Sequence, residues 1–235
     1  MRHSGALMRG VLGGLAIVCM AIGARVAFAD DASDARELVD KARLTIEKFS
    51  TDPAMTGFRD AVKRARGVFI SPLVVRGAFI IGISGGSGVF LARDQATGPW
   101  GGPAFYSMGE ASFGLQAGGD AQEVVLLAMT DRGVTRLLSA TTKLGADASV
   151  AGGPVGAGVT AETAGLSADI ISFALSKGLF IGVSLEGAIV GVRESLNNAY
   201  YGKEVSTTDI LIRRTVTNPQ AAPLVEAVAK VAGGK

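Results

Sequence analysis

Ser176-Lys177-Gly178-Leu179-Phe180-Ile181-Gly182-Val183-Ser184-Leu185-Glu186-Gly187 sets glycine into β-type sequence at close, regular intervals. Glycine inside a strand gives up side-chain packing and backbone entropy, so its repetition there signals close backbone approach, bulges or sharp bends. Arg76-Gly77-Ala78-Phe79-Ile80-Ile81-Gly82-Ile83-Ser84-Gly85-Gly86 runs almost in step with it, and Gly109 to Gly118 is a looser third copy. The chain therefore carries an irregular internal β repeat. Its middle lacks the alternating long helices that a parallel sheet requires.

Helical patterns flank this region. Leu38, Ala42, Thr45, Ile46 and Phe49 recur at turn-like spacing and predict a helix over 32–49, which Asp52-Pro53 should end. A second helix is expected from Pro53 or Ala54 to about Arg66, with Met55, Phe58 and Val62 on one side. Strands are expected at 69–70, 78–83, 89–92, 104–107, 112–116 and 124–129, with Trp100 in a loop bracketed by Gly98-Pro99 and Gly101-Gly102-Pro103. The spacing predicts a short helix over 135–144 and a strand within 146–159, where Ala146, Ala148 and Val150 alternate. Further strands follow at 169–176, 179–185 and 188–192, and Leu224, Val225, Val228 and Val231 mark a last helix. The fold class read from this is α+β: N-terminal helices and a C-terminal helix packed on a glycine-rich, curved, largely antiparallel β-sheet system. Nothing in composition divides residues 30–235, so they form one domain.

At the amino terminus, Arg2 and Arg9 precede an apolar run from Val11 to Ala24, and Ala27-Phe28-Ala29 offers small residues for signal peptidase. Residues 1–29 are accordingly expected to be a cleaved signal peptide, placing the mature chain in the periplasm or envelope. A retained anchor is the alternative, although the run falls short of the roughly 20 residues a span needs. Cleavage removes the sole cysteine, Cys19, and the sole histidine, His3. The mature chain then has no disulfide, no Cys or His zinc site, no thiol nucleophile and no imidazole base. Residues 1–29 also hold three of the 23 Lys and Arg and none of the 21 Asp and Glu, so 20 cations face 21 carboxylates. Bulk attraction to nucleic acid is excluded, and anion binding must come from local clusters.

Gly82-Ile83-Ser84-Gly85-Gly86 matches the nucleophile-elbow pattern, but a histidine-free chain gives Ser84 no base and a further strand follows it, so it reads as a glycine-rich hairpin. No P-loop and no dinucleotide fingerprint occurs, and no cofactor or metal is expected. Glu110, Glu123, Asp147, Glu162, Asp169 and Glu186 are scattered through apolar sequence, and a carboxylate-pair hydrolase needs no histidine. That enzyme, acting on an envelope polymer, stays open as the alternative reading. The stronger candidate is cationic: Arg59, Lys63, Arg64 and Arg66 crowd the end of the second helix beside Phe58 and Val62, a composition suited to anionic headgroups or to a solvated helix face. Lys177 joins these as a candidate. Trp100, Phe105, Tyr106, Tyr200 and Tyr201 are either interfacial aromatics or core.

Several blocks occur in one order: Ala65-Arg66-Gly67-Val68-Phe69-Ile70-Ser71-Pro72; Gly98-Pro99-Trp100 through Phe113 to Gly118; Leu144-Gly145-Ala146-Asp147-Ala148-Ser149-Val150-Ala151-Gly152-Gly153-Pro154-Val155-Gly156; and Lys177 to Tyr201. In this the chain resembles the SYLF (Ysc84-type) lipid-binding domain. The resemblance implies non-enzymatic binding of anionic phospholipid or a membrane surface, and in some eukaryotic relatives actin binding. Actin is not expected for an exported chain. A structural envelope role without lipid specificity is the other binding-class alternative.

Overall fold

The computed structural model describes residues 30–78, 81–94, 98–113, 118–156, 167–183 and 185–233. The expected signal peptide, Glu162 and Ser184 lie outside these residues. The first helix, α1, covers 30–51. Asp52 then stops it, its carboxylate accepting from the Ala54 N–H (2.8 Å), and a single 3-10 turn leads into α2 (Thr56–Arg64). Nine strands follow: β1 (Gly67–Ala78), β2 (Ile81–Arg93), β3 (Trp100–Phe113), β4 (Gly118–Ala128), β5 (Thr141–Lys143), β6 (Val150–Gly152), β7 (Ile170–Ser176), β8 (Leu179–Gly182) and β9 (Ile189–Val192). Among the described residues, three further α-helices are α3 (Asp131–Leu137), α4 (Glu194–Tyr201) and α5 (Ala222–Gly233), with a π-helical segment at Asp209–Arg213 and a 3-10 turn at Pro219–Ala221 between the last two.

The strands form one sheet in the order β5-β9-β3-β2-β1-β4-β7-β6, with β8 beside β7, curled into a half-barrel. All pairs are antiparallel except β6 with β7. Strands β1 to β4 stand in the order 3-2-1-4, a Greek key in which β4 returns to lie against β1. The three glycine-rich repeats fall on the reversals at one end of this sheet: the ends of β1 and β2, of β3 and β4, and of β7 and β8.

Both faces of β4 are buried from Val124 to Ala128, which explains its unbroken apolar run. Val125 and Leu127 join Val68, Ile70, Val89 and Phe105 under α1, α2, α4 and α5. Val124, Leu126 and Ala128 point the other way, into a second core with Phe69, Tyr106, Leu137 and Leu211. A half-buried strand would alternate; a strand between two cores reads apolar throughout.

Several local expectations need correction. The strand expected at 78–83 straddles the end of β1 and the start of β2. Trp100 is not in a loop: it opens β3, is buried, and pairs with Arg93, while a register shift between Phe90 and Ala92 accommodates the Gly101-Gly102-Pro103 run. Pro72 is tolerated inside β1 by the same device, a bulge between Ile70 and Leu73. The helix expected at 135–144 lies earlier, because the Thr130 hydroxyl caps it by accepting from the Gly133 N–H (3.0 Å), and residues 141–143 are strand β5. Residues 145–147 form a turn rather than a strand, with Gly145 at φ +85°. Helix α4 was not foreseen. Trp100, Phe105, Tyr106 and Tyr200 are all buried, so they serve the core.

Candidate functional site

Helix α2 presents its apolar side, Phe58, Ala61 and Val62, to the core and ends in Lys63 and Arg64, cations favoured where the helix carbonyls are left open. The four expected cations there come close together, but they do different work. Arg59 is a strut: Nη1 donates to the carbonyls of Ser50 (3.2 Å) and Asp52 (2.7 Å), and Nη2 to the Thr56 hydroxyl (3.0 Å), tying the end of α1 to the start of α2. Lys63 meets Asp60 at 3.1 Å in an exposed pair, worth little and easily exchanged for an outside anion. Arg66 pairs with Asp131 and lies just before β1.

These residues line two neighbouring clefts. The larger, about 590 Å³, lies between the end of α1, α2 and α5; Arg59, Lys63 and Lys230 line it with Glu47, Ser50 and Thr51, and Ala227 and Val231 give it an apolar rim. The smaller, about 300 Å³, is lined by Arg64, Arg66 and Arg93 with Asp94. Arg93 donates from Nη1 to the Lys63 carbonyl (3.2 Å), so β2 brings a cation to the end of α2. Six cations therefore converge here on four carboxylates, Glu47, Asp60, Asp94 and Asp131. Lys230 and Arg93 were missed from the sequence because their approach depends on tertiary packing alone. Lys177 is not part of this cluster. It sits in the β7–β8 turn at φ +50°, beyond Ser176, whereas Arg66 adjoins the register line Gly67–Ala128–Ile170; the two ends of β7 are roughly 20 Å apart.

The acidic residues that would build a hydrolase are committed elsewhere. Glu123 pairs with Lys48 and accepts from the Thr45 hydroxyl (3.0 Å), and Glu110 faces Arg76 at 3.5 Å. Asp147 accepts from the Lys143 N–H (2.7 Å) to close its turn, and Glu186 packs against Gly145. Asp169 accepts from the Thr130 hydroxyl (2.6 Å) and from the Ser149 amide and hydroxyl. Those bonds, Thr130's foremost, outweigh partial desolvation and hold its carboxyl below the ordinary value. None of the clefts described is lined by two of these acids. Ser84 lies within β2, paired with Arg76 and Glu110, rather than at a strand-to-helix turn. Among the described residues no group of carboxylates could hold a metal ion, and no helix is long and apolar enough to cross a membrane.

The two clefts at the end of α2 are thus cationic, whereas the described acids singled out in the sequence are tied into local structure. The family model for "Las17-binding protein actin regulator" (Ysc84) matches residues 109–231, from the second half of β3 to α5. Protein YSC84 of Saccharomyces cerevisiae is 34% identical over 169 residues, covering 70% of this chain and 36% of that protein. LAS seventeen-binding protein 3 of the same yeast is 33% identical over 170 residues, with the same shares. The human SH3 domain-containing YSC84-like protein 1 is 30% identical over 167 residues, covering 70% of this chain and 48% of that protein. The chain belongs to the Ysc84 (SYLF) family. It spans between about a third and a half of the length of these relatives, and none of their names describes an enzyme.

Proposed function

We propose that this protein binds the anionic surface of a phospholipid membrane, without catalysis, through the cationic end of α2. The observation that carries this reading is the convergence of Lys63, Arg64, Arg66, Arg93 and Lys230 around two open clefts, one of them rimmed by Ala227 and Val231. Exposed lysines and arginines next to apolar side chains are suited to headgroups on one side and the acyl boundary on the other. Arg59 supports the surface by holding α1 to α2. The family resemblance supports lipid as the ligand class. The names of the yeast relatives refer to Las17 and the family description to actin regulation; we do not extend either partner to this chain, because its first 29 residues read as an export signal and would place it in the envelope.

The test is co-sedimentation of the chain from residue 30, which holds every described element of the fold, with phosphatidylcholine vesicles and with vesicles containing phosphatidylglycerol. Binding to the anionic vesicles that weakens as salt rises is the expected result. Equal binding to both compositions, or none to either, overturns the proposal.

A further inference from the structure

The helical face of the sheet is not covered everywhere. Above β1 and β2, the first half of α1 and the start of α4 leave a cleft of about 320 Å³, walled by Leu38, Lys41, Arg193 and Leu196 and floored by Leu73, Val75, Gly85 and Ser87. That volume is at the lower end of small-ligand pockets. Leu73 and Val75 are 51% and 54% exposed, although they belong to a central strand.

Strand register carries the floor outward. Val75, Gly85, Gly109 and Ile189 stand abreast on β1, β2, β3 and β9, and Ser87, Ser107 and Gly191 continue the neighbouring row. The middle of each row thus has no side chain or only a hydroxymethyl group. The result is a shallow lane ~14 Å from β1 to β9, bare of side chains at Gly85 and Gly109 and bounded at its two ends by Val75 and by Ile189, 48% exposed. Packing does not require glycine at position 85, where a Cβ would meet nothing within 4 Å, whereas a Cβ on Gly109 would come within 3.2 Å of the Ser84 carbonyl oxygen.

Four charged groups line the cleft, Asp34, Glu37, Lys41 and Arg193. The half-buried Arg193 guanidinium donates from Nη1 to the Ser87 hydroxyl (2.8 Å), and among the described residues no carboxylate lies within ion-pairing distance of it. Lys41 is engaged with Glu37 at 2.6 Å, and Asp34 is the cleft's other acid. A guanidinium held by a single hydroxyl keeps further N–H donors for an anion, and the low-dielectric wall strengthens such a bond.

We propose that this lane seats the tail of a single-chain anionic amphiphile, with the head on Arg193 and the alkyl chain across the glycine floor. The lane is separate from the cationic end of α2, so the two sites can fail independently. The lane runs across the middle of a paired sheet, which offers no free strand edge to an extended peptide; a bare floor between apolar ends fits an alkyl chain.

The test is calorimetric titration with decanoate and with 1-decanol, both below aggregation. Decanoate is expected to bind saturably at one site and more tightly than decanol. Arg193→Gln should weaken decanoate about tenfold or more and erase its advantage over decanol. Gly85→Leu, which raises a side chain into the lane, should abolish binding while melting like the parent; Ile189→Glu at the far end provides a second block should Gly85→Leu fold poorly. Vesicle co-sedimentation should be unchanged in all three variants. Absence of saturable decanoate binding, or binding that survives both Gly85→Leu and Ile189→Glu, overturns the proposal.

Discussion

Replacing Gly182 with alanine tests the reading of the glycines most sharply. A Cβ there would lie 2.0 Å from the Gly153 carbonyl oxygen and 3.0 Å from its carbonyl carbon and amide nitrogen. Ordinary contact begins at 3.4 Å, so β8 must retreat by about 1.4 Å. The obstacle is backbone, which cannot rotate away as a side chain would. Retreat also draws Phe180 off Phe49, whose rings meet edge-on at 4.9 Å, and so loosens the core under α1. Overpacking of this kind costs about 2–3 kcal/mol, or roughly 4–12 °C in Tm for a domain of this size. Gly85→Ala is the control: its Cβ meets nothing and its backbone is extended strand, so a gain of about 0.4–1 kcal/mol is expected. Urea and thermal melts of both variants decide the matter. If Gly182→Ala is as stable as Gly85→Ala, close backbone approach is not why glycine occupies position 182.

Arg59→Ala should destabilise by about 1–3 kcal/mol, because the carbonyls of Ser50 and Asp52 lose their donor, and Arg59→Lys should recover only part of this; chemical denaturation measures both. Asp169 gives a pH signature. Its folded pKa is depressed, so its contribution is present above the unfolded value of about 3.9 and is lost as pH falls through the lower folded value. The stability difference between the parent and Asp169→Asn should therefore be constant near neutrality and shrink below about pH 4; a difference that grows on acidification would reverse the assignment.

Much of the architecture was legible because its signals are local. Of the residues whose spacing marked the first helix, Ala42, Thr45, Ile46 and Phe49 are buried and Leu38 is half-buried, while Val39, not read from the spacing, is buried too. The apolar run at 124–129 marked a strand, and the glycine repeat, read as bends or close approaches, falls on reversals of the sheet. Helix α4 was not legible, since its position depends on Asn197, which accepts from the Phe105 N–H (2.9 Å) and donates to the Phe105 carbonyl (3.3 Å), 92 residues away. Glu194 to Tyr201 carries two adjacent asparagines and too few turns to show a period. The same limit applies to the candidate site. Arg59, Lys63, Arg64 and Arg66 share one stretch of sequence and could be grouped by eye, whereas Arg93 and Lys230 reach them from β2 and α5. Lys177 looked comparable in sequence but stands at the other end of the sheet.

The most direct measurement of the central claim is binding to phosphatidylglycerol vesicles by the Lys63→Glu, Lys230→Glu double variant, with Lys177→Glu and Lys203→Glu combined as the charge-matched control. Both remove the same kind of charge from exposed positions, and only the first touches the cleft between α2 and α5. Loss of salt-sensitive binding in the double variant, with binding retained in the control, is the result this account requires. Undiminished binding by the double variant would contradict it.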